Sequence, residues 1–199
     1  MSSTPLMDTR VRRTQRRLRD ALTSLIHEKS YDDIVVNEIL DRADVGRSAF
    51  YAHFSNKDAL LASGIEQILH SSPPHQLSPK AGPFARVLWF SLPFFEHVGQ
   101  CRRTGRSLMV PRGRASVHQL LRLMLTRQIR KELKAVELAS DAHSTGIPTE
   151  LLAEFIVGTF IVVLNWWVES DSPCSAREAD DRFLRLVLPT LENATAHRS

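Results

Sequence analysis

The sequence predicts an all-α protein built as two helical domains. Apolar residues recur at three- and four-residue spacing through most of its 199 residues, and no stretch shows the two-residue alternation of a strand. The run Asn37 to Leu61, NEILDRADVGRSAFYAHFSNKDALL, reads as two short helices around a tight turn. A proline- and serine-rich stretch, Ser71 to Pro83, interrupts the helical pattern, so domains are expected over 1–70 and 71–199.

A first helix is expected from near Thr9 to Lys29, with Leu18, Leu22, Leu25 and Ile26 as its inward stripe. Six arginines fall between Arg10 and Arg19 with no acid among them. The next two helices cover Val36 to Arg42 and Gly46 to His53. Ile39, Leu40 and Ala43 face inward from the one, and Ala49, Phe50 and Phe54 from the other. Asp44 stands where the chain must turn left-handed, a conformation that favours glycine and next Asp or Asn. This is a helix-turn-helix, whose second helix can lie in the major groove of DNA. Ser55 and Asp58 are spaced as a capping box opening a fourth helix that runs to about His70.

The second domain starts with an apolar, aromatic segment, Phe84 to Val98, which Pro93 should kink or divide. A short helix near Arg103 to Met109 comes next, then a long amphipathic one, Ala115 to Leu138. Beyond the loop SDAHSTGIPTE lie two last helices, Glu150 to Glu169 and Ala176 to about Ala194.

The run from about Arg13 to Leu61 resembles the N-terminal domain of the TetR (tetracycline repressor) family. The residues that carry the likeness are the basic first helix, Ser30-Tyr31, Ile39-Leu40, Ala43-Asp44-Val45, Tyr51-Ala-His-Phe54 and Ser55-Asn-Lys57-Asp58-Ala-Leu60. Ser30 and Asp44 replace glycines of the family pattern, Val35 replaces a capping Thr and Gly46 a capping Ser. A missing cap costs roughly 0.5–2 kcal/mol, a loss of local stability rather than of fold.

The resemblance implies a ligand-responsive transcriptional regulator, usually a repressor, that binds a near-palindromic operator as a homodimer. Arg47 and Ser48 fall in the first turn of the recognition helix, where Arg47 can bind a guanine edge or a phosphate. Ala49 is placed to touch a thymine methyl. Tyr51 and His53 resemble the family's phosphate contacts, although Tyr51 could instead cap the core and His53 be an ordinary surface histidine. Lys57 lies beside the N–H groups of a helix start that favour phosphate. Asn37 is a further phosphate candidate. The arginine run beside the motif is a plausible phosphate-facing surface, or else a solvated terminus.

In the second domain the resemblance implies a small-molecule pocket, for which Trp89, Phe90, Phe94, Phe95, His97, Met109, Phe160 and Trp166 are the candidates. Arg102, Arg103 and Arg106 could add cationic contacts. The plain alternative for each aromatic is core packing. The last two helices resemble a dimerisation pair, with Gly158 permitting close approach and Phe183, Leu184, Val187, Leu188 and Leu191 supplying apolar surface. A helix that is apolar all round must bury one face in its own domain and another against a partner.

Other classes fit poorly. Cys101 and Cys174 have neither disulfide-framework nor metal spacing, and a cytoplasmic setting is expected. The N-terminus lacks a secretory core. Leu151 to Val168 approaches membrane-spanning length, but Glu154 and Asn165 interrupt it. No cofactor is expected. The eight histidines form no paired ligand motif. His70 and His75 flank a proline pair, and Asp141, His143 and Ser144 are neighbours in one loop, which makes no catalytic triad, so no enzyme is expected. The rival to a ligand-responsive regulator is a DNA-binding adaptor or architectural protein of the same fold with a filled second domain.

Overall fold

The computed structural model describes residues 5–71, 84–103, 114–139, 147–170 and 173–195. Among them the regular elements are helices: α1 (Pro5–Glu28), a 3-10 turn (Tyr31–Asp33), α2 (Val36–Ala43), α3 (Arg47–Tyr51), α4 (Lys57–Ser71), α5 (Ala85–Leu88), α6 (Ser91–Arg103), α7 (Arg114–Ala139), α8 (Thr149–Glu169) and α9 (Ala176–Thr195). The Pro/Ser-rich stretch 72–83, residues 104–109 of the expected short helix, and the loop 140–146 lie outside the described residues. The chain divides into two compact units. The division falls within α4, after Glu66, and the start of α7 through Leu120 joins the first unit.

The first unit packs α1 on α2. Leu18, Leu22 and Leu25 of α1 meet Ile34, Ile39, Leu40, Phe50, Phe54 and Leu60 in one buried cluster, with Val117 of α7 packed against it. Burying each such side chain is worth about 1.5–3 kcal/mol. Polar links flank the core. Arg42 donates to both oxygens of Glu28, at 2.6 and 2.8 Å, and Lys29 to both of Glu38, at 2.6 and 2.7 Å. Glu38 also accepts the Val35 N–H at 3.0 Å. That bond satisfies one of the backbone donors at the start of α2, so Val35, which has no capping side chain, leaves that end less exposed than its residue type implies. At α4 the cap is Asn56 and not the expected Ser55: its Oδ1 accepts the Ala59 N–H at 2.8 Å.

The second unit packs α9 against α6 and α8. Phe160 of α8 is its hub, with Phe90, Phe94, Phe95 and Phe183 in edge contact at centroid distances of 5.0, 5.8, 5.3 and 5.6 Å. Trp167 meets Phe95 at 5.6 Å, and its indole N–H donates to the Cys174 carbonyl. The break in the aromatic segment falls at Trp89–Phe90, while Pro93 sits in the first turn of α6, where its missing N–H costs little. Ser175 and Glu178 form a reciprocal capping box at α9, with bonds of 3.2 and 2.7 Å. Helix α8 is long and apolar enough to cross a membrane, and 44% of its apolar window is buried.

Candidate nucleic-acid interface

Asp44 ends α2 with φ 50° and ψ 55°, the left-handed conformation that reverses the chain into α3. Among the described residues it is the one non-glycine with positive φ. Its carboxylate, almost fully exposed, accepts a bond from Arg17 of α1 at 2.8 Å. Helix α3 then runs only from Arg47 to Tyr51, anchored by Phe50, which is wholly buried and touches the rings of both Tyr51 and Phe54.

That anchoring decides what faces out. Arg47 and Ser48 are exposed, Ala49 is half-buried, and Tyr51 is 52% exposed. His53 is half-buried against the Phe54 ring. Asn37, exposed on α2, accepts a bond from the Arg47 guanidinium at 2.6 Å, so two separately identified candidates form one polar group. The geometry thus brings Asn37, Arg47, Ser48 and Tyr51 onto the outer side of the motif.

Lys57 is different. Its ammonium donates to the carbonyls of Tyr31, Asp32 and Ile34 at 2.9, 3.0 and 2.9 Å and lies 4.7 Å from the Tyr31 ring centroid. An ammonium has three donors, and all three are used. In the protein without DNA this side chain closes the 3-10 turn onto the start of α4. The Tyr31 hydroxyl donates to Asp58, and its pKa is pushed well above the ordinary tyrosine range by burial, reinforced by that bond. Ser116 of α7 donates to Asp32 of the same turn at 2.6 Å. Nothing in the local sequence signals this last link, because 84 residues separate its partners.

In the second unit the pocket candidates disperse. Phe90, Phe94, Phe95 and Phe160 interlock in the α8 hub, and Trp89 is buried. Rings in edge contact fill the space a ligand would take, so this cluster is core. His97 is exposed, and Trp166 is 43% exposed, with the Arg182 guanidinium 5.4 Å from its ring. Neither belongs to that cluster's interior. Met109 and Arg106 lie outside the described residues. An open depression of about 260 Å³ lies elsewhere, between α7 and α8, lined by Leu123, Thr126, Arg127, Arg130 and Glu154.

The expected interface residues also divide. Phe183, Val187 and Leu191 are wholly buried within the subunit, so no partner can touch them. Leu184 and Leu188 are half-buried. Exposed large apolar side chains of the second unit include a stripe on α8, Leu151, Phe155, Val162 and Trp166, with Leu186 on α9; Leu123 and Ile147 are exposed as well. Gly158 falls in that stripe, and nothing would meet a Cβ added there within 4 Å. Among the described residues no group of three or more His, Cys, Asp or Glu is placed to hold a metal ion.

Residues 18–63 match the family model for bacterial regulatory proteins of the tetR family. None of the curated proteins matches the chain. Solved structures do. A putative TetR-family transcriptional regulator from Syntrophomonas wolfei is 18% identical, with 94% of this chain and 98% of that one covered and a TM-score of 0.63. NalD, the secondary repressor of the MexAB-OprM multidrug efflux pump in Pseudomonas aeruginosa, is 16% identical over 90% and 96%, at 0.62. RolR in complex with resorcinol is 18% identical over 96% and 97%, at 0.50.

Proposed function

We propose that the chain, whose residues 18–63 match the tetR family model, is a TetR-family transcriptional regulator that binds a near-palindromic double-stranded operator as a homodimer, represses from it, and is released by a small-molecule effector. The observation that carries the DNA reading is the short helix α3, which buries Phe50 and turns Arg47, Ser48 and Tyr51 outward beside Asn37. Arg47 is suited to a guanine edge or a phosphate, Tyr51 to a phosphate, and Ala49 to a thymine methyl. Such a protein acts in the cytoplasm, where its DNA is.

The homodimer is supported by the α8 stripe. Leu151, Phe155, Gly158, Val162 and Trp166 recur at three- and four-residue steps on one face. Paired across a two-fold axis with α9, such stripes give a four-helix interface. Leu184 and Leu188 would flank it.

Release by an effector rests on the family and on RolR, whose structure holds resorcinol. A coupling of roughly 1–3 kcal/mol changes DNA affinity by about 5–150-fold. The interlocked rings around Phe160 favour a second reading, a DNA-binding adaptor of this fold without a small ligand. Selection of bound duplexes from a random library, followed by a metabolite screen against the selected complex, tests both. Absence of any preferred duplex overturns the regulator; a preferred duplex that no small molecule releases moves the adaptor ahead.

A further inference from the structure

The six arginines of α1 fall on two different sides of the helix. Arg10, Arg13 and Arg17 are spaced by three and four residues and share one face; Arg12, Arg16 and Arg19 share another. The first face is fixed in space by the bond from Arg17 to Asp44, at 2.8 Å. Asp44 is the turn residue that leads into α3, so the side of α1 carrying Arg17 is the side beside the recognition helix. Arg13 and Arg10 lie one and two turns farther out on the same face, and both are exposed. On the other face Arg16 is engaged with Asp20, at 3.7 Å.

We propose that Arg10, Arg13 and Arg17 form a second DNA-binding surface, one that follows the sugar-phosphate backbone flanking the bases read by α3. The inference rests on the DNA-binding reading above and adds a separate contact surface to it. From Arg10 to Arg17 the helix rises about 10.5 Å. One DNA strand presents a phosphate about every 3.4 Å along its axis, so the stripe matches a run of about three phosphates. Guanidinium groups are suited to phosphate because they present several donors in a planar fork. Like-charged neighbours three and four residues apart also weaken a helix, so helix stability does not account for this pattern. Asp44 holds Arg17 in place in the free protein, and the phosphate replaces Asp44 as its partner on DNA.

Two double variants separate a track from general positive charge: Arg10→Ala with Arg13→Ala, and Arg12→Ala with Arg16→Ala on the other face. Each is titrated with the duplex selected by the wild-type protein and with a random-sequence duplex of equal length, from 50 to 200 mM salt. The first pair should lower the slope of log affinity against log salt by about 2 on both duplexes, making the fall over that range about 12-fold shallower. It should leave base preference unchanged and shorten the hydroxyl-radical footprint at its flanks. The second pair should leave slope and footprint near wild type. Equal losses in both pairs, or none in the first, overturn the track while the regulator stands. Loss confined to A/T-rich flanks overturns it in favour of minor-groove readout. Wild-type protein that binds neither duplex removes the regulator reading and this inference with it.

Discussion

Asn37 and Arg47 sit ten residues apart on successive helices of the motif, and a 2.6 Å hydrogen bond runs from the Arg47 guanidinium to the side-chain Oδ1 of Asn37. The bond leaves Arg47 with further donors for DNA and restricts its direction. Arg47→Ala should cost roughly 1–3 kcal/mol of operator affinity, with relaxed preference at one base pair if it reads a guanine edge. Asn37→Ala should cost less alone and add little to Arg47→Ala, a non-additivity that a double-mutant cycle on the selected duplex measures. Strict additivity would separate the two residues' roles.

Lys57→Met retains an apolar stem and removes three charge-assisted bonds to the carbonyls of the 3-10 turn. It should lower stability by about 1.5 kcal/mol, or about 3–6 °C in Tm, without changing the salt slope of DNA binding. A changed slope at unchanged Tm would instead establish Lys57 as a phosphate contact.

Asp44→Gly relieves a left-handed aspartate at the expense of an exposed ion pair to Arg17. The relief is about 1 kcal/mol and the exposed pair contributes about 0–1, so stability should hold or rise slightly. Asp44→Val, a β-branched residue at the same φ, should be clearly less stable than wild type in denaturant melts.

Acid acts oppositely on the two units. Hydrogen bonds from Arg42 and Lys29 hold the Glu28 and Glu38 carboxyls below the ordinary glutamate range. Their contribution is present above the unfolded pKa and is lost as pH falls through the depressed values. Asp180, buried on α9, has its pKa raised to about 6 by desolvation, which a bond from Ser91 only partly offsets. Its contribution is full below the unfolded value of 3.8 and is lost as pH rises through about 6. Asp180→Asn should therefore raise Tm by about 2–4 °C at pH 7 and by much less at pH 4. Calorimetry at both pH values checks this.

Val162→Glu, in the exposed stripe of α8, should give a folded monomer by sedimentation with native helix content. Phe183→Glu should instead lose the fold, because it places a charge among Phe90 and Phe160. A Val162→Glu dimer of wild-type affinity would refute the interface.

Local chemistry was legible in the sequence, and long-range partnership was not. Asp44 is identifiable because left-handed backbone admits few residue types, and Phe50 because its four-residue spacing to Phe54 puts two aromatic rings on one helix face. For Lys57 the residue type suggests a phosphate, and the bonds it makes to turn carbonyls 23 to 26 residues earlier have no signal in the local sequence. The aromatics of the second unit carry the same ambiguity: a ring that lines a cavity and a ring that fills one have the same spacing. On α9 Phe183 and Leu186 both look apolar, and only the packing of α9 against α6 and α8 distinguishes the buried one from the exposed one.

The brevity of α3 limits how much one subunit can discriminate. Five helical residues extend about 7.5 Å, and DNA advances 3.4 Å per base pair, so one such helix spans only two or three base pairs. At about 1–3 kcal/mol for each mismatched pair, a single head is a poor address among the millions of sites in a genome. In the proposed homodimer the missing information comes from geometry: a fixed distance between two heads, and the bending cost of the DNA between them, which depends on sequence at positions no side chain touches. Spacer length should therefore be as decisive an element of the operator as the bases themselves.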